Sequence, residues 1–271
     1  MSADETPTAR ALAYLRRDPL RQIVPLKMLT AYGDAARVCY RERDGAQGVL
    51  LLLPAQTFLF DRSTYPWASW VLLLAAESDA VARELLALAP RDAPTVFKLS
   101  GALEQAAALE LFELQRLTAF LSYTSRPGQR HLPDPAVRIS ERPEPRWMDL
   151  FVAQGHDRGE LEDLFARGQA LAFAIERGGA PAAVCTAYRN FEQIYEIGGV
   201  FTAPEARRQG HARRLVATAL RELARRGLTP RYQVHEDNLP SVRLAESLGL
   251  RRFVTMAHWR YDPRRGEGVE G

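Results

Sequence analysis

The most regular alternation of apolar and polar positions lies at 212–224. Ala212, Leu215, Val216, Ala219, Leu220, Leu223 and Ala224 recur there at i, i+3, i+4, i+7, i+8, i+11 and i+12. That spacing predicts an amphipathic helix with one face in a core. Arg213, Arg214, Arg221, Glu222, Arg225 and Arg226 fall on the other face, and Gly227 supplies the C-terminal stop. Upstream, Ile194, Ile197, Val200 and Phe201 mark a strand that ends before Pro204, which has no backbone donor. Downstream the pattern predicts a strand at 231–234, a helix from Asn238 with Pro240 in its first turn and Gly249 at its close, and a strand at 252–261.

The first part of the chain reads as helices at 11–17 and 22–32, then strands at 36–43 and 48–53 flanking the hairpin signal Asp44-Gly45. A strand at 67–74, a helix at 78–88 with Ser78 as N-cap, a strand at 95–99 and a helix at 103–112 follow. Pro127, Gly128, Pro133 and Pro135 then break both periodicities, which places a domain boundary there, with domains at 1–130 and 136–263. The second part opens with a strand at 137–139, helices at 147–152 and 160–165, and a hairpin of 170–176 with 182–188. The strand, helix, strand, helix order occurs in both parts. The expected fold class is α+β, in a three-layer α/β arrangement: two tandem domains, each a mixed, mostly antiparallel sheet flanked by helices.

Composition changes this picture little. The 271 residues are 46% apolar, enough for real cores, and no run approaches a membrane span. Residues 1–10 lack the basic-then-apolar order of a signal peptide, and Cys39 and Cys185 imply no disulfide framework, so a cytoplasmic protein is expected. A net charge of +3 gives no strong field for nucleic acid or membrane, and neither is expected as a partner. The five histidines show no metal-ligand spacing, so no metal is expected. Cys185, in the apolar run 182–186, reads as a buried hydrophobe.

Candidate chemistry concentrates in the turn Arg207-Arg208-Gln209-Gly210-His211-Ala212, between the strand and the long helix. Gly210 and Ala212 leave backbone N–H groups approachable, and these amides with the positive helix end form an anion site suited to a diphosphate. Arg207, Arg208, Arg213 and Arg214 add positive charge. The turn is neither a Walker loop nor a Gly-x-Gly-x-x-Gly motif. On the loop alone, an ordinary connection with solvated arginines remains open, as does a solvated side chain for His211.

The turn matches Arg/Gln-x-x-Gly-x-Gly/Ala, and with the strand before it and the Asn238-x-x-Ser241 helix ending Leu248-Gly249-Leu250, the chain resembles the GNAT superfamily of N-acetyltransferases. The tandem order, with the loop only in the second half, looks like glycine N-acyltransferase relatives. The first half has Glu77-Ser78-Asp79 in the equivalent turn, which would repel phosphate. The resemblance implies acetyl-CoA as co-substrate and direct transfer of its acetyl group to a primary amine of a small molecule, amino acid or peptide. It implies a cofactor site of Val200, Phe201 and Thr202 pairing with pantetheine, the loop from Arg207 through Arg208, Gln209, Gly210, His211, Ala212 and Arg213 on the diphosphate, and Asn238 and Ser241 facing the pantetheine or the thiol end.

An alkylammonium acceptor needs a base. Glu196 is the first candidate, sharing a strand face with Val200 provided that Gly198-Gly199 forms no bulge. His235 is the second and Glu192 the third. The family's tyrosine position is Ala245, leaving Tyr195, Tyr232 or solvent to protonate the thiolate. That departure keeps a non-catalytic acyl-CoA-binding or sensor module as the alternative. The chain is expected to be a monomer or a homodimer, the latter through an exposed strand at 253–259.

Overall fold

The computed structural model describes residues 6–265, so part of the segment 1–10 read above for a signal peptide lies outside them. In chain order the elements are α1 (Pro7–Leu15), α2 (Ile23–Tyr32), β1 (Arg37–Arg43), β2 (Ala46–Pro54), α3 (Leu59–Thr64), β3 (Trp70–Ala76), α4 (Asp79–Leu86), β4 (Thr95–Leu99), α5 (Ala102–Leu111) and β5 (Leu114–Thr124). They continue as β6 (Arg138–Ser140), α6 (Pro145–Val152), α7 (Arg158–Ala166), β7 (Ala170–Arg177), β8 (Ala180–Phe191), β9 (Ile194–Thr202), α8 (His211–Arg225), β10 (Thr229–His235), α9 (Leu239–Ser247) and β11 (Arg251–Tyr261). The pattern of the sequence anticipates most of these. It misses α3, a single short turn of helix, and β5.

The chain forms two compact units, one of residues up to 120 with those from 254 onward, the other of 121–253. This differs from the division expected at the proline-rich stretch, because pairing rather than chain-breaking residues decides it. The end of β11 pairs antiparallel with β4, from Ala257↔Leu99 to Tyr261↔Thr95, so the last strand completes the first unit's sheet. The strand expected to offer a free edge at 253–259 is thus paired over 257–259.

In the first unit the strand order is β1-β2-β3-β4-β11. The pairs are antiparallel except β3 with β4, which run parallel in unbroken register from Trp70↔Thr95 to Leu74↔Leu99. Alternate residues Leu50, Leu52, Leu72, Leu74, Phe97 and Leu99 pack against Val81, Leu85 and Leu86 of α4. Lys98 points elsewhere and is paired with Asp61 at 2.5 Å, both buried.

The second unit has the order β5-β10-β9-β8-β7-β6, with β6 through β9 antiparallel neighbours and β9 parallel to β10. Its strands alternate between two helical layers. Leu171, Phe173, Ile175, Ala183, Cys185 and Ala187 face α8 and α9, where Leu215, Val216, Ala219, Leu220 and Leu223 are buried. Ala170, Ala172, Ala174 and Val184 face α6 and α7, against Trp147, Phe151, Leu161 and Phe165. Each buried leucine or valine of α8 contributes roughly 1.5–3 kcal/mol through water exclusion. Along α8 the buried stripe takes in His211 and Thr218 and omits Ala224, a correction to the expected face. Arg214 leaves the solvated face, holding Asp134 through Nε at 2.5 Å and Nη2 at 3.0 Å. The mixed sheet flanked by helices is the expected fold class at the level of each unit.

Candidate functional site

Beta-strand β9 does not run evenly. Against β8 the register passes from Thr186↔Gly198 to Val184↔Phe201, so three steps on β9 match two on β8. The extra residue is a bulge at Gly199-Val200, with Gly199 at φ +58°, a conformation a side chain would strain. Parity is reversed across the bulge. Glu196 pairs opposite Tyr188 and Phe201 opposite Val184, on the α6/α7 side, whereas Val200 packs with the α8/α9 cluster. The condition on which Glu196 and Val200 would share a face, no bulge at Gly198-Gly199, is therefore not met.

The parallel pairing of β9 with β10 covers only Thr229↔Ile194, Pro230↔Tyr195 and Arg231↔Glu196. Beyond it the strands part, and Glu196 holds them so. The amide of Gln233 donates to Glu196 Oε1 at 2.9 Å, in place of a backbone carbonyl of β9. Asn190 Nδ2 donates to Oε2 at 3.0 Å, Arg231 Nη1 also donates to Oε2, and Arg231 Nη2 reaches Ser122 Oγ at 3.0 Å. Glu196 and Arg231 are both buried. A carboxylate with its lone pairs given to a guanidinium, an amide and a carboxamide is a structural wedge. That arrangement counts against Glu196 as the base.

The gap opens at the C-terminal ends of the parallel pair, where α8 and α9 begin, the position at which α/β sheets form crevices. A cavity of about 470 Å³ lies there, lined by Val200, Phe201, Thr202, Ala206, Arg207, Arg208, Gly210, His211, Ala212, Asn238, Pro240, Ser241 and Leu244. Ten of the twelve residues expected to hold a cofactor thus line one cavity. Gln209 and Arg213 do not: the Gln209 carboxamide turns back to the Glu205 carbonyl at 3.3 Å, and Arg213 is exposed on α8.

Local chain geometry shapes the cradle. After a single 3-10 turn at Pro204–Ala206, Arg208 (φ +62°) and Gly210 (φ +76°) take left-handed conformations that turn the chain into α8. A Cβ on Gly210 would meet nothing within 4 Å, so the space over the loop is open. No side chain caps α8, leaving its first amides available, in contrast to α4, α7 and α9, capped by Ser78, Asp157 and Asn238. Arg208 and Arg213 form no ion pair among the described residues.

His211 is buried rather than solvated, correcting the expectation from the sequence. Arg214 Nη1 lies 3.3 Å from its Nδ1. A guanidinium only donates, so Nδ1 accepts and Nε2 carries the proton, and that Nε2–H is buried without a partner. Burial, then Arg177 and Arg214, hold the imidazole pKa below its ordinary value, keeping it neutral.

The other expected groups lie apart. His235 ends β10, accepts the Asp237 amide at 3.3 Å on Nδ1 and is 41% exposed outside the cavity lining. Glu192 sits in the β8–β9 turn, eight residues before Val200, about 25 Å along an extended chain. Asn238 Oδ1 is occupied in capping α9, accepting from Ser241 N at 3.2 Å. Ala245, on α9, is fully buried, and Tyr232, also buried, has its phenol pushed up to about 12 by burial while a hydrogen bond with Ser241 works the other way. Tyr188 and His156, not singled out from sequence, lie beside Gly198 and Gly199. Only a double glycine on a strand hinted that another element packs onto it.

Among the described residues no cluster of three or more His, Cys, Asp or Glu could hold a metal, and no helix is long and apolar enough to cross a membrane.

Residues 136–250 match the model of the acetyltransferase (GNAT) family. Solved structures agree in fold. A GNAT-family acetyltransferase from Colwellia psychrerythraea superposes with a TM-score of 0.61 at 15% identity, covering 93% of this chain and 97% of its own. A GCN5-related N-acetyltransferase from Kribbella flavida gives 0.55 at 16%, covering 93% and 95%. A tandem GNAT protein from the clavulanic acid biosynthesis pathway gives 0.52 at 12%, covering 97% of each chain. A comparison with curated protein sequences finds no match.

Proposed function

We propose that this protein is an acyl-CoA-dependent N-acetyltransferase that moves the acetyl group of acetyl-CoA to a primary amine by direct attack in a ternary complex. The observation that carries the reading is the unpaired edge of β9 beyond Glu196, opening beside an uncapped helix N-terminus in one cavity. An extended pantetheine with two amides suits a strand edge with free N–H and C=O groups. A diphosphate suits the α8 amides and the arginines at 207 and 208. The open space over Gly210 and the orphaned His211 Nε2–H fit an anionic ligand here. An amide at the bulge donating to the thioester oxygen supplies oxyanion stabilisation.

We further propose two related halves of which only the second binds the cofactor. Both sheets run antiparallel, antiparallel, parallel in their central pairs. In the first, however, β3 and β4 stay paired, Ser78 caps α4 with Oγ 3.3 Å from Val81 N, and Asp79 puts negative charge in its first turn.

The acceptor reads as an amine of a small molecule or peptide. A non-catalytic acyl-CoA-binding role is favoured by the wedge role of Glu196 and by Ala245. Coenzyme A release against an amine panel separates the two. The test of the site itself is calorimetry with acetyl-CoA: micromolar binding by the wild type, at least tenfold weaker in Arg208→Glu and abolished in Gly210→Glu, with melting curves checking the fold of each. A wild type that binds no CoA ester ends the acyl-transfer reading.

A further inference from the structure

His156, between α6 and α7, lies against the bulge of β9 from the sheet face opposite α8. A Cβ built on Gly199 would stand 3.1 Å from its Nε2 and 3.0 Å from Phe151 Cδ1, and one on Gly198 would stand 3.6 Å from its Cε1. The imidazole therefore approaches the β9 backbone most closely at Gly199, where a Cβ would be crowded and φ is left-handed, while at Gly198 it stands in ordinary contact. The Tyr188 ring meets it edge-on, with centroids 6.1 Å apart. Among the described residues no side chain or backbone group hydrogen-bonds to either ring nitrogen, and the residue is half-buried.

The cavity described above meets the bulge from the α8/α9 face through Val200, and His156 meets it from the α6/α7 face. Two reactants approaching a parted strand pair from opposite faces meet at Gly198–Val200. With Glu196 held by Arg231, the open proton acceptor at that point is the imidazole.

We propose that His156 is the general base of acetyl transfer, taking the proton of an alkylammonium acceptor that enters from the α6/α7 face. The assignment rests on the acyl-transfer reading. The ammonium gives one proton to the imidazole, and the freed lone pair on nitrogen forms the C–N bond at the thioester carbon. The C–S bond breaks with its electron pair on sulfur, the thiolate takes a second proton from nitrogen, and the imidazolium returns its proton to solvent. Burial holds the His156 pKa below its ordinary value while the charge of Glu160 on α7 works the other way, which leaves a neutral base at pH 7. Tyr188 on β8 is the other titratable group facing it, its phenol pushed up by burial and so neutral. Phe151 on α6 and the glycines of β9 carry no charge.

The test combines two readouts on the full chain. The first follows the His156 ring by NMR through a pH titration, with and without S-acetonyl-CoA, a ketone analogue that cannot transfer its acyl group. The expected result is a pKa below that of free imidazole and a resonance displaced by the analogue. The second measures transfer from acetyl-CoA to benzylamine, spermidine and a tetrapeptide with a free N-terminus. For the amine turned over, His156→Gln loses about 100-fold or more in kcat together with the acidic limb of the pH profile, at unchanged KM for acetyl-CoA. Analogue binding by calorimetry with an unmoved His156 resonance overturns the base assignment and leaves the cofactor reading standing. So does a His156→Gln variant within threefold of wild-type kcat, or the absence of any transfer to the three amines. If the analogue does not bind at all, the cofactor reading itself fails and the assignment falls with it.

Discussion

Replacing Glu196 by glutamine tests the reading of the parted strands. Glu196 is 6% exposed and Arg231 3%, and the carboxylate takes hydrogen bonds from Arg231, Asn190 and the Gln233 amide. Glutamine can still accept from Gln233 N, but its amide nitrogen then confronts Asn190 and Arg231, which offer only donors at those contacts, and the guanidinium charge stays buried without a counterion. Removing one partner of a buried pair costs about 3–5 kcal/mol. At roughly 2–4 °C per kcal/mol for a chain of this size, the melting transition falls by about 6–20 °C. Calorimetric and urea unfolding at pH 7 measure it. Adding Arg231→Met removes the stranded charge and should recover at least half the loss. A fall of under about 1 kcal/mol for Glu196→Gln, as for an exposed pair, refutes the argument. The acidic limb of transfer in Glu196→Gln should match the wild type, because the wedge does not carry the proton.

Other outcomes follow from the same contacts. Glu222 on α8 is held down to about 2 by hydrogen bonds from Arg225 and then Arg226, against the opposing effect of its burial. Because its folded pKa lies below its unfolded value, its stabilisation is present above pH about 4.5 and lost as pH falls through about 2. Glu222→Gln should therefore lose about 1 kcal/mol at pH 7, and urea curves should converge with the wild type near pH 2. Gly210→Ala has space for its Cβ but not the backbone angle, so it should lose about 1–2 kcal/mol in thermal unfolding without steric block of acetyl-CoA in calorimetry. Burial pushes the Cys185 thiol far up, so a thiol reagent should label Cys39 in the native protein and Cys185 only after unfolding, read by peptide mass.

Local pattern determined a good deal here. The 3.6-residue period of α8, the Asp44-Gly45 hairpin, the capping serine of α4 and the Arg207–Ala212 turn all depend on neighbours in sequence, and nine of the thirteen residues that line the cavity come from that turn and its flanks, the other four from α9 and its cap. Where a contact joins distant segments, the sequence was silent. The division into units followed from β11 pairing with β4, across more than 150 residues, which no proline can announce. The role of Glu196 turned on Arg231 and on a one-residue bulge, and a bulge reverses every facing beyond it while leaving the alternation of residue types almost unchanged. His156 shows no periodicity or motif. Its place beside Gly198 and Gly199 exists only because α6 and α7 pack on that face of the sheet, so side-chain chemistry could be listed from the sequence, but which groups meet was decided by packing.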